Sequence, residues 1–82
     1  MEPWWVYIVE CADGSLYTGI ARDVERRIEA HNLGKGARYT RGRGPVQLRA
    51  KRGPMSQSEA LRLEHHIKSQ RTADKLTVLR PS

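Results

Sequence analysis

The first apolar residues of the chain predict two strands. Residues 4–9 form an unbroken run of aromatic and β-branched residues, which is typical of a strand buried on both faces. Asp13 and Gly14 then give a strong signal for a tight hairpin turn. A second short apolar stretch follows this turn. We therefore predict an antiparallel hairpin made of residues 4–10 and 16–20.

A helix and a cationic loop are predicted next. Asp23 is suited to cap a helix that runs to about Asn32, because its carboxylate accepts backbone N–H groups at a helix start. Gly34 favours the end of that helix. Residues 34–45 are rich in glycine and basic residues, which predicts a flexible, cationic loop. One face of the helix is marked by Val24, Ile28 and His31.

The second half of the chain adds one strand and two helices. Residues 46–50 alternate weakly and predict a third strand, which residues 53–54 (Gly-Pro) should break. Residues 56–59 form a capping box that opens a helix running to about Gln70. Thr72 is expected to cap a short terminal helix. The order β-β-α-β-α-α predicts an α+β fold, a three-stranded antiparallel sheet flanked by helices, as a single domain over residues 1–82.

Composition excludes several classes of protein. The 82 residues suit one small domain. No apolar run approaches the ~20 residues of a membrane span, and the N-terminus has no basic segment or cleavage site of a signal peptide. Cys11 is the single cysteine, so no internal disulfide can form, and we expect a half-buried turn residue in a cytoplasmic protein.

Positive charge is concentrated in the middle of the chain. The net charge is +6, and residues 22–52 contain ten of the fifteen Lys and Arg. A clustered basic stretch in an otherwise balanced domain indicates a phosphate-bearing partner, most often nucleic acid. The alternative is a solvated surface that only aids solubility, but clustering favours nucleic acid over that alternative.

Glu64 stands out in the second long helix, because it lies inside the apolar stripe of that helix. A carboxylate on a core-facing stripe is costly unless it meets a cation or a metal. The pattern leaves a boundary salt bridge and a metal ligand equally open. The stripe itself consists of Ala60, Leu61, Leu63 and Ile67. Two neighbouring histidines lack a partner at ligand spacing and should face solvent: His65 and His66.

Two tyrosines lie on the predicted hairpin. Tyr7 and Tyr17 occupy its two strands, and Gly19 should leave open space beside the Tyr17 ring. Taken alone, both tyrosines are better explained as core aromatics. Arg27 and His31 share one face of the first helix, although Arg27 alone is equally a surface charge. More exposed positions are expected for Arg22 and Arg26.

Together these residues suit phosphodiester hydrolysis. The carboxylate can hold a divalent cation that neutralises the phosphate, and one carboxylate with waters fits Mg²⁺. The arginine can bind the phosphate with two N–H groups. A tyrosine or a histidine can take the proton from the attacking water.

This ordered set of residues resembles the GIY-YIG endonuclease superfamily, in particular its small stand-alone bacterial members, historically filed as an uncharacterised protein family. The first signature tripeptide corresponds to residues 5–7 (Trp-Val-Tyr) and the second to residues 17–19 (Tyr-Thr-Gly). Neither tripeptide is specific for the family, but the ordered set of residues at these spacings is. The resemblance extends over about residues 4 to 78. The remaining matches are Asp23, Arg26, Arg27, His31, Asn32, residues 34–40 and Glu64.

The resemblance implies a role for each matched residue. Tyr7 would hydrogen-bond near the scissile phosphate, and Tyr17 would be the general base acting on water. Arg27 would stabilise the phosphate charge, and His31 would orient water or phosphate. Glu64 would be the single metal ligand, binding one Mg²⁺ or Mn²⁺. Substrate contacts would come from Gly19, Lys35, Arg38, Tyr39 and Arg41.

The sequence departs from the family pattern at two points. Trp5 stands where the signature has its first glycine, which narrows the approach to Tyr7. The family often has an asparagine in or after its last helix, whereas Asn32 is the only asparagine here. These departures bear on the affinity and specificity for substrate more than on the fold.

The leading interpretation is metal-dependent hydrolysis of DNA, with branched or damaged DNA as a candidate substrate and a role in repair by family analogy. The alternative is a nucleic-acid-binding module without turnover, and a weaker one is a small RNA- or ribosome-associated structural protein. The retained carboxylate favours the enzyme, since it would repel phosphate unless a cation sits on it. The expected partner is therefore nucleic acid, DNA first, and not a membrane.

Overall fold

In a computed structural model, the chain forms a three-stranded antiparallel sheet with helices on both faces. The structure describes residues 3–35, 40 and 42–79. The α+β class and the order of elements are as predicted. The elements are β1 (Trp4–Glu10), β2 (Leu16–Ala21), α1 (Val24–Asn32), β3 (Gln47–Met55), α2 (Gln57–Lys68) and α3 (Thr72–Leu79).

The strand β1 lies in the middle of the sheet, which has the order β2-β1-β3. Its central position explains the unbroken apolar run, because both faces of the strand are covered. Tyr7 and Val9 pack in the cluster on the α1 side. Val6 and Ile8 pack on the opposite face, in the cluster to which α2 and α3 contribute. The helix α1 therefore lies on one face of the sheet, and α2 and α3 lie on the other.

Side-chain caps start the two longer helices where the sequence predicted them. The Asp23 carboxylate accepts the backbone N–H of Arg26 at 3.1 Å. The Ser56 hydroxyl accepts the Glu59 N–H at 3.2 Å and donates to the Glu59 carboxylate at 3.0 Å. The helix α2 ends at residue 68, two residues earlier than predicted, and α3 begins at residue 72 itself, one residue early.

The predicted break of the third strand at residues 53–54 is wrong, because β3 continues through them to Met55. β3 is an edge strand, where proline is tolerated because only one side of the strand bonds to the sheet. A register shift opposite Trp4 accommodates Gly53, where a Cβ atom would lie 2.7 Å from the Trp4 carbonyl oxygen. The close approach of these two backbones keeps the strand paired.

Two burial predictions also need correction. Leu61 is 48% exposed, so it does not widen the apolar stripe of α2, which packs through a narrower face. Cys11 is fully buried rather than half-buried, because it packs in the cluster on the α1 side of the sheet with residues such as Val46. Within the described part of the chain, no helix has the length and apolar character needed to span a membrane.

Candidate active site

A buried chain of hydrogen bonds is centred on Tyr7. The Tyr7 hydroxyl is 2.9 Å from Nε2 of His31, and Nδ1 of His31 is 2.7 Å from Oγ1 of Thr40. These three side chains are 1–2% exposed. The chain therefore connects the middle strand, the end of α1 and the loop that follows α1, almost without contact with solvent.

The charge of Arg27 favours one direction for this chain. Arg27 lies near the Tyr7 hydroxyl, and it opposes the rise in the pKa of Tyr7. A positive charge beside the Tyr7 oxygen favours the orientation in which the O–H points away from the charge, toward Nε2 of His31. We infer that His31 carries its own proton on Nδ1 and donates it to Thr40. Tyr7 thus donates to His31, and His31 donates to Thr40.

The pKa values of both central groups favour their neutral forms. Burial raises the pKa of Tyr7 to about 12, and nearby Tyr17 and Glu64 add to the rise, although Arg27 opposes it. Burial and the Arg27 charge lower the pKa of His31 below its usual value. At neutral pH Tyr7 therefore keeps its hydroxyl proton, and His31 is a neutral imidazole with one ring proton. These are the forms that the hydrogen-bond chain requires.

Gly19 lets the two tyrosines approach each other. It pairs with Tyr7 across the hairpin, and Tyr17 pairs with Val9. A Cβ atom at Gly19 would lie 2.6 Å from the Tyr7 hydroxyl and 3.1 Å from Cε2 of Tyr17. The sequence predicted open space beside the Tyr17 ring. This prediction is wrong, because Tyr7 fills that space. The His31 ring lies edge-on to both tyrosines, 6.0 and 5.4 Å from their centres.

Glu64 reaches the site from the opposite face of the sheet. Its carboxylate is 19% exposed and pairs with Nζ of Lys68 at 3.3 Å. Nζ of Lys68 also lies 5.8 Å from the centre of the Tyr17 ring. The boundary salt bridge considered from the sequence is therefore present, and the same carboxylate is close enough to act on the pKa of Tyr7. The site thus wraps around the β2 edge of the sheet.

The residues around Glu64 fit one hydrated divalent cation. The Lys68 pair occupies only Oε2 of the carboxylate. Across residues 3–35, 40 and 42–79, no group of three His, Cys, Asp or Glu residues could enclose a metal. Mg²⁺ usually keeps several waters and binds one or two carboxylates together with substrate phosphates. A single carboxylate that is 19% exposed therefore fits a hydrated divalent cation better than a metal enclosed by protein.

The structure places only some of the predicted substrate contacts. Lys35 is exposed just beyond α1, and its N–H donates to the Ala30 carbonyl at 2.8 Å. His65 and His66 are exposed, as predicted. Thr40 is the site residue that sequence reasoning missed, since a threonine within a basic loop carries no signal of a buried contact. Three predicted contacts lie outside the described residues: Arg38, Tyr39 and Arg41.

The two departures from the family pattern have structural roles. Trp5 packs against the cluster on the α1 side, and Nζ of Lys51 lies 4.9 Å from the centre of its ring. Asn32 accepts the backbone N–H of Val46 at 2.7 Å, which ties the end of α1 to the segment before β3. Asn32 therefore supports the fold beside the site.

Replacing Gly19 with Ala should displace Tyr7. The new methyl group overlaps the Tyr7 hydroxyl and ring, so we expect a loss of about 1–3 kcal/mol in the free energy of unfolding, typical of overpacking. Urea unfolding measures this loss. Gly44→Ala is the matched control, because a Cβ atom at Gly44 meets only Asn32 at 3.9 Å. Equal stability of both variants would contradict the tight Tyr7–Gly19 contact.

His31 should make the fold sensitive to acid. Its pKa is lowered from 6.5 in the folded state, so the unfolded chain binds the proton more readily. The free energy of unfolding should therefore fall as the pH drops below about 6.5. Urea unfolding of the protein and of His31→Gln at about pH 7.5 and 5.5 measures this, with exposed His65→Gln as control. An unchanged acid response in His31→Gln would count against the assignment.

NMR of labelled histidine gives a second measurement that does not depend on the stability of that variant. In the unchanged protein we expect His31 to carry its proton on Nδ1. Thr40→Val should shift the ring toward the tautomer protonated on Nε2. Thr40→Ser keeps the hydroxyl and should keep the Nδ1–H tautomer. The same form in all three proteins would show that Thr40 does not orient the ring.

Comparison with known proteins shows the family to which the chain belongs. The family model of the GIY-YIG catalytic domain matches residues 3–77. The chain therefore belongs to the GIY-YIG family of nuclease domains, as its sequence suggested. It is 48% identical over 80 residues to the UPF0213 protein of Staphylococcus aureus, covering 98% of each chain. It is 53% identical over 70 residues to that of Halobacterium salinarum, covering 85% of this chain and 91% of the relative.

Two solution NMR structures share the fold. The UPF0213 protein BH0048 from Bacillus halodurans is 49% identical, with a TM-score of 0.57 over 92% of this chain and 80% of that one. The protein EF2693 from E. faecalis is 33% identical, with a TM-score of 0.65 over 96% and 84%. Family membership implies a nucleic-acid substrate and a divalent metal in general terms.

Proposed function

We propose that this protein hydrolyses phosphodiester bonds of DNA with one divalent cation. The observation that carries the proposal is the meeting of Arg27, His31 and the charge of Glu64 around the Tyr7 hydroxyl. A protein that only binds phosphates needs the arginine, but a nearby carboxylate would weaken that binding. An arginine and a carboxylate can both favour phosphate binding when a cation lies between the carboxylate and the phosphate.

In this proposal Arg27 contacts the scissile phosphate. Arg27 is exposed, and its charge lies near enough to the Tyr7 hydroxyl to act on the pKa of Tyr7. An arginine oriented in advance stabilises the charge that develops in the transition state. Tyr7 and His31 are nearly inaccessible, so we assign them to positioning Arg27, in place of the direct contacts with phosphate or water suggested by the resemblance.

Tyr17 is the general base of this proposal. Tyr7 is buried and keeps its proton, whereas the Tyr17 side chain is partly exposed at the edge strand. As a phenolate, the Tyr17 oxygen would take the proton from the attacking water and become the hydroxyl. Lys68 adds positive charge beside the ring and next to Glu64.

Glu64 would hold the cation, Mg²⁺ or Mn²⁺, which when bound supplies positive charge to the phosphate and its leaving oxygen. The other substrate contacts stay predictions from the sequence, and so does the preference for branched or damaged DNA. Those contacts are Gly19, Lys35, Arg38, Tyr39 and Arg41.

The alternative is a binding module without turnover. The Lys68–Glu64 ion pair favours it, because it gives the carboxylate a partner without any metal. A cleavage assay separates the two functions: labelled single-stranded, duplex and branched DNA, and RNA, each with Mg²⁺, Mn²⁺ or EDTA. Cuts that require metal support hydrolysis and identify the substrate. Salt-sensitive binding without cuts under any condition supports the module.

A further inference from the structure

A groove with three arginines opens at the start of α1. It has a volume of about 280 Å³ and shares Arg27 with the site described above. None of the other groove residues belongs to the hydrogen-bond chain around Tyr7. The groove is lined by Ala21, Arg22, Asp23, Arg26, Arg27 and Ala30.

The groove carries excess positive charge. Asp23 is the single carboxylate in the lining, and it already accepts the backbone N–H of Arg26 as the cap of α1. Among the described residues, no carboxylate forms an ion pair with Arg26 or Arg27. Other basic residues are neutralised: Arg43 by Asp13, Arg49 by Glu10 and Lys51 by Glu25.

Arg22 is already ordered by a packing contact. Its guanidinium carbon lies 5.4 Å from the centre of a Trp4 ring, as in a cation–π contact. An arginine held in this way loses less side-chain entropy when it binds an anion. The remaining lining, Ala21 and Ala30, has short side chains that leave room for a ligand between the arginines.

We propose that this groove binds a backbone phosphate of the substrate strand next to the scissile phosphate. The inference rests on the proposed function, which assigns the scissile phosphate to Arg27. Neighbouring phosphates follow one another along a strand, so a strand held by Arg27 brings the next phosphate toward Arg26 and Arg22. Such contacts position the nucleic acid without reading its sequence.

The salt dependence of DNA binding tests the groove. Binding of a fluorescent duplex is measured in EDTA, so that no cleavage occurs, for the protein and two double variants. Arg22→Gln/Arg26→Gln should lower the slope of log affinity against log salt by about 0.9, the value for one lost phosphate contact. The control Arg52→Gln/Arg62→Gln removes equal charge from a groove between β3 and α2. Equal slopes for both variants would overturn the proposal.

Kinetics separate the groove from the reaction. Arg22→Gln/Arg26→Gln should raise KM about tenfold or more and leave kcat within about twofold, because the groove binds ground state and transition state alike. If the double variant cleaves normally and has an unchanged salt slope, the groove does not bind phosphate, and the proposal of hydrolysis stands. If its salt slope is reduced but neither protein cleaves with any metal, the groove binds phosphate, and the proposal of hydrolysis is wrong. Displacement of DNA by inorganic phosphate at constant ionic strength would show a free-phosphate site instead.

Discussion

Replacement of Glu64 with Gln is expected to lower the rate of metal-dependent cleavage by at least about 10³-fold, which corresponds to several kcal/mol of lost metal stabilisation. Glutamine keeps the shape of the side chain and loses its charge, so the cation has no anionic ligand. The fold should survive, because the Lys68 ion pair is partly exposed and such pairs contribute little. Single-turnover cleavage across a Mg²⁺ titration measures the effect.

Glu29→Gln is the control for this change, since it removes the same charge from an exposed position of α1. Thermal unfolding of both variants accompanies the kinetics. A large loss of stability in Glu64→Gln would return Glu64 to a purely structural ion pair. Cleavage at the normal rate would remove it from the metal site altogether.

Replacement of Arg27 with Gln should reduce kcat by about 10²–10³-fold, the usual cost of removing one oriented donor from a developing charge. DNA affinity should change by less than about tenfold, because one of several phosphate contacts is lost. Single-turnover rates and binding in EDTA separate the two effects.

Two further variants sharpen this experiment. Arg27→Lys keeps the charge without the planar pair of donors, so it should recover binding more than turnover. Arg62→Gln removes an equal charge from exposed α2 and should leave turnover unchanged. If Arg27→Gln weakens binding and turnover equally, the arginine is a simple phosphate anchor.

Local signals explain which elements were predictable. The hairpin follows from an apolar run beside Asp13 and Gly14, and the helix starts follow from Asp23 and Ser56. Each of these signals acts within a few residues of the element it defines. The extension of β3 through Pro54 depends instead on its edge position in the sheet, which no local pattern encodes.

The site divides in the same way. The sequence proposed five site residues, and the structure places three of them in contact: Tyr7, Tyr17 and His31. The charges of Arg27 and Glu64 act on Tyr7, and the catalytic roles of all five stay predictions. Thr40 was not found, because no local pattern encodes its contact with His31, nine residues away in the chain. The role of Gly19 was misjudged, since only the strand register places Tyr7 against it.

The position of the site on the rim of the sheet has a consequence for how a polymer reaches it. Tyr17 lies on the edge strand, and Glu64 approaches from the face opposite α1. A site at the edge of a sheet can bind a long polymer from the side, at any point along the length of the polymer. In the proposed function, no free strand end has to enter the site first, so a covalently closed circle of DNA should also be cleaved.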